Sequence, residues 1–209
     1  MKINRGKFIV FEGCDRSGKT TQCKKLVEYL KQNSIPCEHM NFPKRDTAIG
    51  KVINEYLQGC VTLDHHTIHL LFSANRWELQ DKMNKTLLAG KHIVCDRYSF
   101  SGVAYTAAKE GMDFEWCKNP EIGLIKPDLV FYLKLNEEVQ IQRPGYGDEI
   151  YEKPLFQRKV SEKYEQLFDN SYWETIEVDG TIDEIHNNIV NKTKKLLEDT
   201  EDKPVSYLW

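Results

Sequence analysis

The sequence predicts an α/β protein built on a five-stranded parallel sheet with helices on both faces. Three observations predict it. Short apolar, β-favouring runs alternate with longer stretches of helical periodicity along the chain. The first strand leads straight into a glycine loop and then a helix, between Lys7 and Gln22. No repeat and no linker divides the 209 residues, which suffice for one domain with a substantial core.

Phe8 to Phe11 reads as a buried strand. Gly13-x-x-x-x-Gly18-Lys19-Thr20 follows in the phosphate-loop pattern. Glycines at 13 and 18 let backbone N–H groups converge on a phosphate at a helix N-terminus. Lys19 has the reach for β- and γ-phosphates, and the Thr20 hydroxyl is a Mg²⁺ ligand type. Leu26, Val27 and Leu30 carry the helix to about Gln32, where Asn33-Ser34 and then Pro36 stop it. A second strand, Cys37 to Phe42, delivers Phe42-Pro43-Lys44-Arg45 to the carboxyl end of the sheet, where open α/β sheets bind ligands. Arg45 there is equally an anion contact or a solvated loop arginine. Asp46 is the expected N-cap of a helix through Leu57.

One long helix is expected from Asp64 to Ala89. Within it Phe72 and Arg76 stand four residues apart and project together, able to stack on a base and bond its edge; a core Phe beside a surface Arg is the commoner meaning of that spacing. His65 and His69 share a face but lack the glutamate of His-Glu-x-x-His, and read as structural or solvent-facing. A third strand, Lys91 to Cys95, brings Asp96-Arg97-Tyr98 to the same crevice. A carboxylate at that strand end suits Mg²⁺, directly or through water. Arg97, Ser101 and Tyr105 predict one polar helix face beginning at the site. Asp128 to Leu135 is a fourth strand. Asn136 to Lys153, with Arg143-Pro144-Gly145-Tyr146-Gly147, reads as a mobile flap suited to excluding water. Pro154 to Phe168 is helical, Trp173 to Val178 is a fifth strand, and Thr181 to Glu184 is a capping box for a last helix to about Leu197.

Twenty-nine basic against 32 acidic side chains leave a net charge of −3, which gives no reason to expect nucleic acid or an anionic membrane as partner. No stretch is apolar and long enough to span a bilayer, and the first residues lack a signal peptide's apolar segment. Six cysteines without a Cys-x-x-Cys pair point away from zinc and disulfides, towards reduced thiols in a cytoplasmic compartment, or also a nuclear one.

Six segments together resemble thymidylate kinases, closest to the eukaryotic and poxvirus-type members. They are Phe-Glu-Gly-x-Asp-Arg-x-Gly-Lys-Thr-Thr-Gln at 11–22, Asn-Phe-Pro-x-Arg at 41–45, Leu-Leu-Phe-Ser-Ala-Asn-Arg-Trp-Glu at 70–78, Asp-Arg-Tyr-x-Phe-Ser-Gly-Val-Ala-Tyr at 96–105, Lys-Pro-Asp-Leu-Val at 126–130 and Tyr-Glu at 151–152. The resemblance covers nearly the whole chain. It implies the P-loop nucleoside monophosphate kinase fold: a single kinase domain, 1–209, with a monophosphate-binding region at about 41–105 and a lid at about 134–157. It implies phosphorylation of dTMP to dTDP by ATP with Mg²⁺, and a homodimer.

The resemblance also implies roles. Gly13, Arg16, Ser17, Gly18, Lys19, Thr20 and Thr21 would hold ATP, with Arg143 along the adenine and the Ile182 backbone near its edge. Arg16, Lys19, Asp96 and Arg97 would be catalytic, and Thr20 and Asp96 would bind the metal. Asp15 would bind the 3′-hydroxyl of dTMP. Arg45 and Arg97 would grip its phosphate. Phe72 would stack on thymine, Arg76 would bond O4, and Ser101 would lie near N3. Phe42, Leu57, Gly102 and Tyr105 would close the pocket, and Tyr151 would cover the sugar. Phe42-Pro43 would be a cis peptide. Two departures stand out: Cys14 inside the loop, and Ile150 where relatives often carry a basic residue. A kinase with a relaxed acceptor (dUMP, dGMP) and a non-catalytic nucleotide-binding module are the alternatives; the second is disfavoured because Arg16, Lys19, Asp96 and Arg97 are all intact. A GTPase switch would need an Asn-Lys-x-Asp stretch, which is missing.

Overall fold

A computed structural model describes residues 4–136, 150–199 and 203–209. Five parallel strands form one sheet: β1 (Phe8–Glu12), β2 (Cys37–Asn41), β3 (His92–Asp96), β4 (Leu129–Lys134) and β5 (Trp173–Glu177), in spatial order β2-β3-β1-β4-β5. β1 is central and buried throughout, as an apolar run covered on both faces must be. The side chains of β1 divide the core. Phe8 and Val10 point into a cluster with Val103 and Tyr164, whereas Ile9 and Phe11 join Leu26, Leu30 and Ile189 on the other face.

The helices are α1 (Lys19–Gln32), α2 (Ala48–Leu57), α3 (His65–Trp77), α4 (Gln80–Leu88), α5 (Ser99–Ala107), α6 (Phe114–Lys118), α7 (Pro154–Leu167) and α8 (Ile182–Glu198). Three expectations are corrected. The expected 64–89 helix is two helices, parted at Glu78-Leu79, where the Leu79 N–H bonds back three residues to Arg76. Thr47, not Asp46, caps α2: its hydroxyl accepts from the Gly50 N–H at 3.0 Å. Arg97 lies outside α5, with φ 64°, so it meets Ser101 and Tyr105 from a left-handed backbone position rather than from the same helix face. The capping box at Thr181 and Glu184 is present, and Phe42-Pro43 is cis. α6 and a 3₁₀ turn at Asn119–Glu121 occupy a stretch that the sequence left unassigned.

Candidate active site

The carboxyl ends of β1, β2 and β3 open into one cleft of about 920 Å³. Gly13 (φ 137°) and Gly18 (φ 92°) adopt backbone angles that side chains rarely tolerate, and between them the loop wraps the N-terminus of α1. A Cβ on Gly13 would stand 2.5 Å from the Leu133 carbonyl oxygen. Lys19 folds into the loop and donates to the Cys14 carbonyl at 2.5 Å and to Ser17 Oγ at 3.2 Å. Burial, aided by Arg97, lowers its pKa to about 8, against the pull of Asp15 and Asp96. Thr20 Oγ1 donates to Asp96 Oδ2 at 2.5 Å, pairing the loop hydroxyl with the carboxylate that ends β3. A hydroxyl beside a carboxylate is the hard-oxygen pair that fits Mg²⁺.

Arg97 is the hub. Its N–H donates to the Phe11 carbonyl, which fixes the turn after β3. Its guanidinium donates to Asp15 Oδ1, to Ser101 Oγ at 3.2 Å and to the Gly13 carbonyl at 3.4 Å, and lies 5.1 Å over the Tyr105 ring. Burial works to raise the pKa of Asp15, but Arg97 and Lys19 outweigh it and hold the carboxyl below its ordinary value. Gln157 of α7 grips the same aspartate, accepting from its N–H at 2.9 Å and donating to Oδ2 at 2.7 Å. Arg16 pairs with Glu152, Nε to Oε1 at 2.8 Å. Glu152 and Gln157 thus reach both charged residues between Gly13 and Gly18.

On the opposite wall, Arg76 is buried rather than a surface arginine. Glu121 holds it through Nε at 2.7 Å and Nη2 at 2.5 Å. A Cβ on Gly102 would stand 2.5 Å from Arg76 Nη2, so only glycine lets the guanidinium lie against α5. Phe72 lines the cleft beside it, with Phe42 and Leu57. Tyr151 closes one side: its ring stacks on Phe156 at 5.4 Å and meets Tyr105 edge-on at 5.7 Å, and its hydroxyl donates to Tyr56 at 3.1 Å.

The structure brings together most of the residues singled out in the sequence. Asp15, Arg16, Gly18, Lys19, Thr20, Thr21, Phe42, Arg45, Leu57, Phe72, Arg76, Asp96, Arg97, Ser101, Gly102, Tyr105 and Tyr151 all line this cleft. Gly13 and Ser17 lie behind the loop surface. Ile182 is not among the lining residues; its side chain is exposed and its carbonyl accepts from Gln22. Arg143 lies outside the described residues, as does most of the expected flap. Arg45 is exposed at the rim, with Nη1 2.8 Å from Asn54 Oδ1. Ile150 packs with the cluster around Ile53 and Leu57. Sequence reasoning missed Glu12, Glu121, Glu152 and Gln157. Glu12 and Glu152 stand inside the 11–22 and 151–152 segments that carry the resemblance, but no role was assigned to them.

A family model described as thymidylate kinase matches residues 11–189. The thymidylate kinase of Danio rerio is 47% identical over 211 residues, covering 100% of both chains, and that of Homo sapiens is 40% identical with the same coverage. The thymidylate kinase structure from Candida albicans has a TM-score of 0.90 at 35% identity, over 98% of this chain and 99% of that one. The Ehrlichia chaffeensis thymidylate kinase structure, at a TM-score of 0.72 and 22% identity over 90% of this chain and 99% of that one, shares the fold. The chain belongs to the thymidylate kinase family, the nucleoside monophosphate kinases that pass a phosphoryl group from ATP to dTMP.

Proposed function

We propose that phosphoryl transfer occurs within this single cleft, with ATP on the glycine loop and dTMP between Arg97 and Arg76. The chain is a nucleoside monophosphate kinase with ATP as donor and dTMP as acceptor. The observation that carries the site reading is the convergence of Arg16, Lys19 and Arg97 beside the Thr20–Asp96 pair, at the mouth of a helix N-terminus. Phosphoryl transfer asks the protein chiefly to align two anions and to offset charge as it spreads over the equatorial oxygens. Lys19 and the loop N–H groups hold the donor phosphates. Arg97, oriented by Asp15 and Ser101, meets the acceptor phosphate, with Arg45 at the rim. Arg16, set by Glu152, reaches the transferring group. Thr20 and Asp96 are the oxygens that would hold Mg²⁺, which would supply charge neutralisation on the donor phosphates. Phe72 and Arg76 take the base, Asp15 the sugar hydroxyl, and Tyr105 and Tyr151 cover the sugar.

The test of this arrangement is an adenosine–thymidine bisubstrate analogue joined by five phosphates. Binding of one equivalent per chain, competitive with both ATP and dTMP and tighter than either, is expected. Competition with only one of them would contradict a shared cleft. A second reading, a wider acceptor range, is favoured by the 35%-identical Candida albicans enzyme, whose structure is described as revealing the origin of broad substrate specificity. Phe72, Arg76 and Ser101 suit uracil as well as thymine, since one methyl is worth only about 1–3 kcal/mol. A homodimer is the expected assembly. Leu70 and Trp77, seven residues apart on α3, are 48% and 40% exposed and would form part of its interface. Sedimentation of a Leu70→Glu variant as a monomer would support this.

A further inference from the structure

Lys109 stands two residues beyond the end of α5, half-buried, and does not line the cleft. A lysine usually keeps its charge in open water. This one lies over two tyrosine rings, 5.0 Å from the centroid of Tyr151 and 5.6 Å from that of Tyr56. It also donates to the Tyr56 hydroxyl at 3.4 Å. Among the described residues it makes no ion pair. Burial lowers its pKa to about 8, against the pull of Cys117 and Asp64, so the amine is still a cation at neutral pH.

The ammonium joins three segments that are distant in sequence. Tyr56 lies in α2, Tyr151 precedes α7, and Lys109 follows α5. Tyr56 is buried outside the cleft, and its hydroxyl accepts from Tyr151 at 3.1 Å. Tyr151 lines the cleft and meets Tyr105, over which Arg97 lies at 5.1 Å. Two cleft-lining rings thus stand between two cations, Arg97 inside the site and Lys109 outside it. The contacts of Tyr151 fix different things. The hydrogen bond to Tyr56 fixes its oxygen but leaves the ring free to turn about its long axis. A cation is drawn to the negative face of a ring and repelled by its positive edge, so the ammonium opposes that turn. The stack on Phe156 comes from five residues along the same segment and moves with Tyr151. Lys109 and Tyr56 come from elsewhere and tie the ring to the wall of the cleft.

We propose that Lys109 is a positioning residue for acceptor binding, its charge holding the Tyr151 ring in place over the acceptor end of the cleft. Lys109 itself touches no substrate. The proposal rests on the reading that Tyr151 covers the acceptor's sugar. A cover made in the ground state persists in the transition state, so its loss appears in KM and not in kcat.

The experiment measures KM and kcat for dTMP, and KM for ATP, in wild type, Lys109→Met, Lys109→Arg, Tyr151→Leu and the double variant Lys109→Met/Tyr151→Leu. Lys109→Met keeps the apolar stem and removes the charge. Its KM for dTMP should rise about tenfold, the scale of cation–π contacts withdrawn from water, with kcat and KM for ATP unchanged. Lys109→Arg keeps a cation and should restore the wild-type KM. Tyr151→Leu should raise KM for dTMP by itself, and adding Lys109→Met to it should raise KM no further. A wild-type KM in Lys109→Met beside a raised one in Tyr151→Leu overturns the proposal. So does a Lys109→Met effect that persists in full without the Tyr151 ring. A wild-type KM in Tyr151→Leu overturns the reading that Tyr151 covers the sugar, and with it the proposal.

Discussion

Arg76 and Glu121 form an ion pair that is almost wholly withdrawn from water, 2% and 0% exposed. Such a pair contributes little by existing but much by not being broken. Glu121→Ala should therefore destabilise the fold by about 3–5 kcal/mol, measured by urea unfolding, because it strands a buried guanidinium. Gly102→Ala should act on the same arginine without emptying anything. Its Cβ would need the space of Nη2, and Glu121 holds that nitrogen in place. KM for dTMP should rise at least tenfold, with KM for ATP unchanged; steady-state kinetics decides. Lys19 offers a proton-linked test. Its pKa of about 8 lies below the ordinary 10.5, so the unfolded chain holds more protons between those values and the ligand-free protein gains stability as pH rises through that window. Bound phosphates raise the pKa again. ATP binding near about pH 8.5 should take up protons, seen as a buffer-dependent binding enthalpy, and Lys19→Met should abolish the uptake. At this scale, the cleft residues of the glycine loop and the strand ends were legible because those patterns name them. Glu121, Glu152 and Gln157 were not, because each is defined by a partner 45, 136 or 142 residues away.

Elements were legible wherever periodicity or a cap marked them, and illegible where tertiary contacts decided. Strands β1 and β3 and the capping box of α8 follow from apolar runs and a Thr-x-x-Glu signal. The break between α3 and α4 has neither glycine nor proline to announce it. Trp77, at the end of α3, donates its indole N–H to the Pro120 carbonyl at 2.7 Å, a contact that no local pattern reveals. The start of α2 offered two polar candidates side by side. Thr47 caps Gly50, receives the Asn75 amide at 3.1 Å and donates to Glu78 at 2.7 Å, tying α2 to the end of α3. Among the described residues, Asp46 makes only an exposed pair with Lys44 at 3.2 Å. Thr47→Ala should cost about 1 kcal/mol in urea unfolding, and Asp46→Ala close to nothing. The reverse order would restore Asp46 as the cap.

At the scale of the whole molecule, strand order does the positioning. β1 stands between β3 and β4, so the glycine loop that follows it faces the Asp96-Arg97 turn directly. β2 beside β3 adds the Phe42–Arg45 segment to the same rim. The parallel alternation was readable from the sequence and puts every strand-end loop on one side. The order of the strands was not readable, since nothing local states which edges pair. The acceptor wall adds a third tier, in which α3 and the 3₁₀ turn are clasped together by Arg76 and Glu121. These tiers gather the glycine loop, the Asp96-Arg97 turn and the Phe72–Arg76 wall around one cleft. The most direct test of this account is ADP release from ATP and Mg²⁺ with dTMP, dUMP, UMP, dGMP or no acceptor. The account predicts strong turnover with dTMP, weaker turnover with dUMP, and none with UMP, whose 2′-hydroxyl meets Tyr105, or without acceptor. Folded protein that binds ATP yet releases no ADP with dTMP would contradict it.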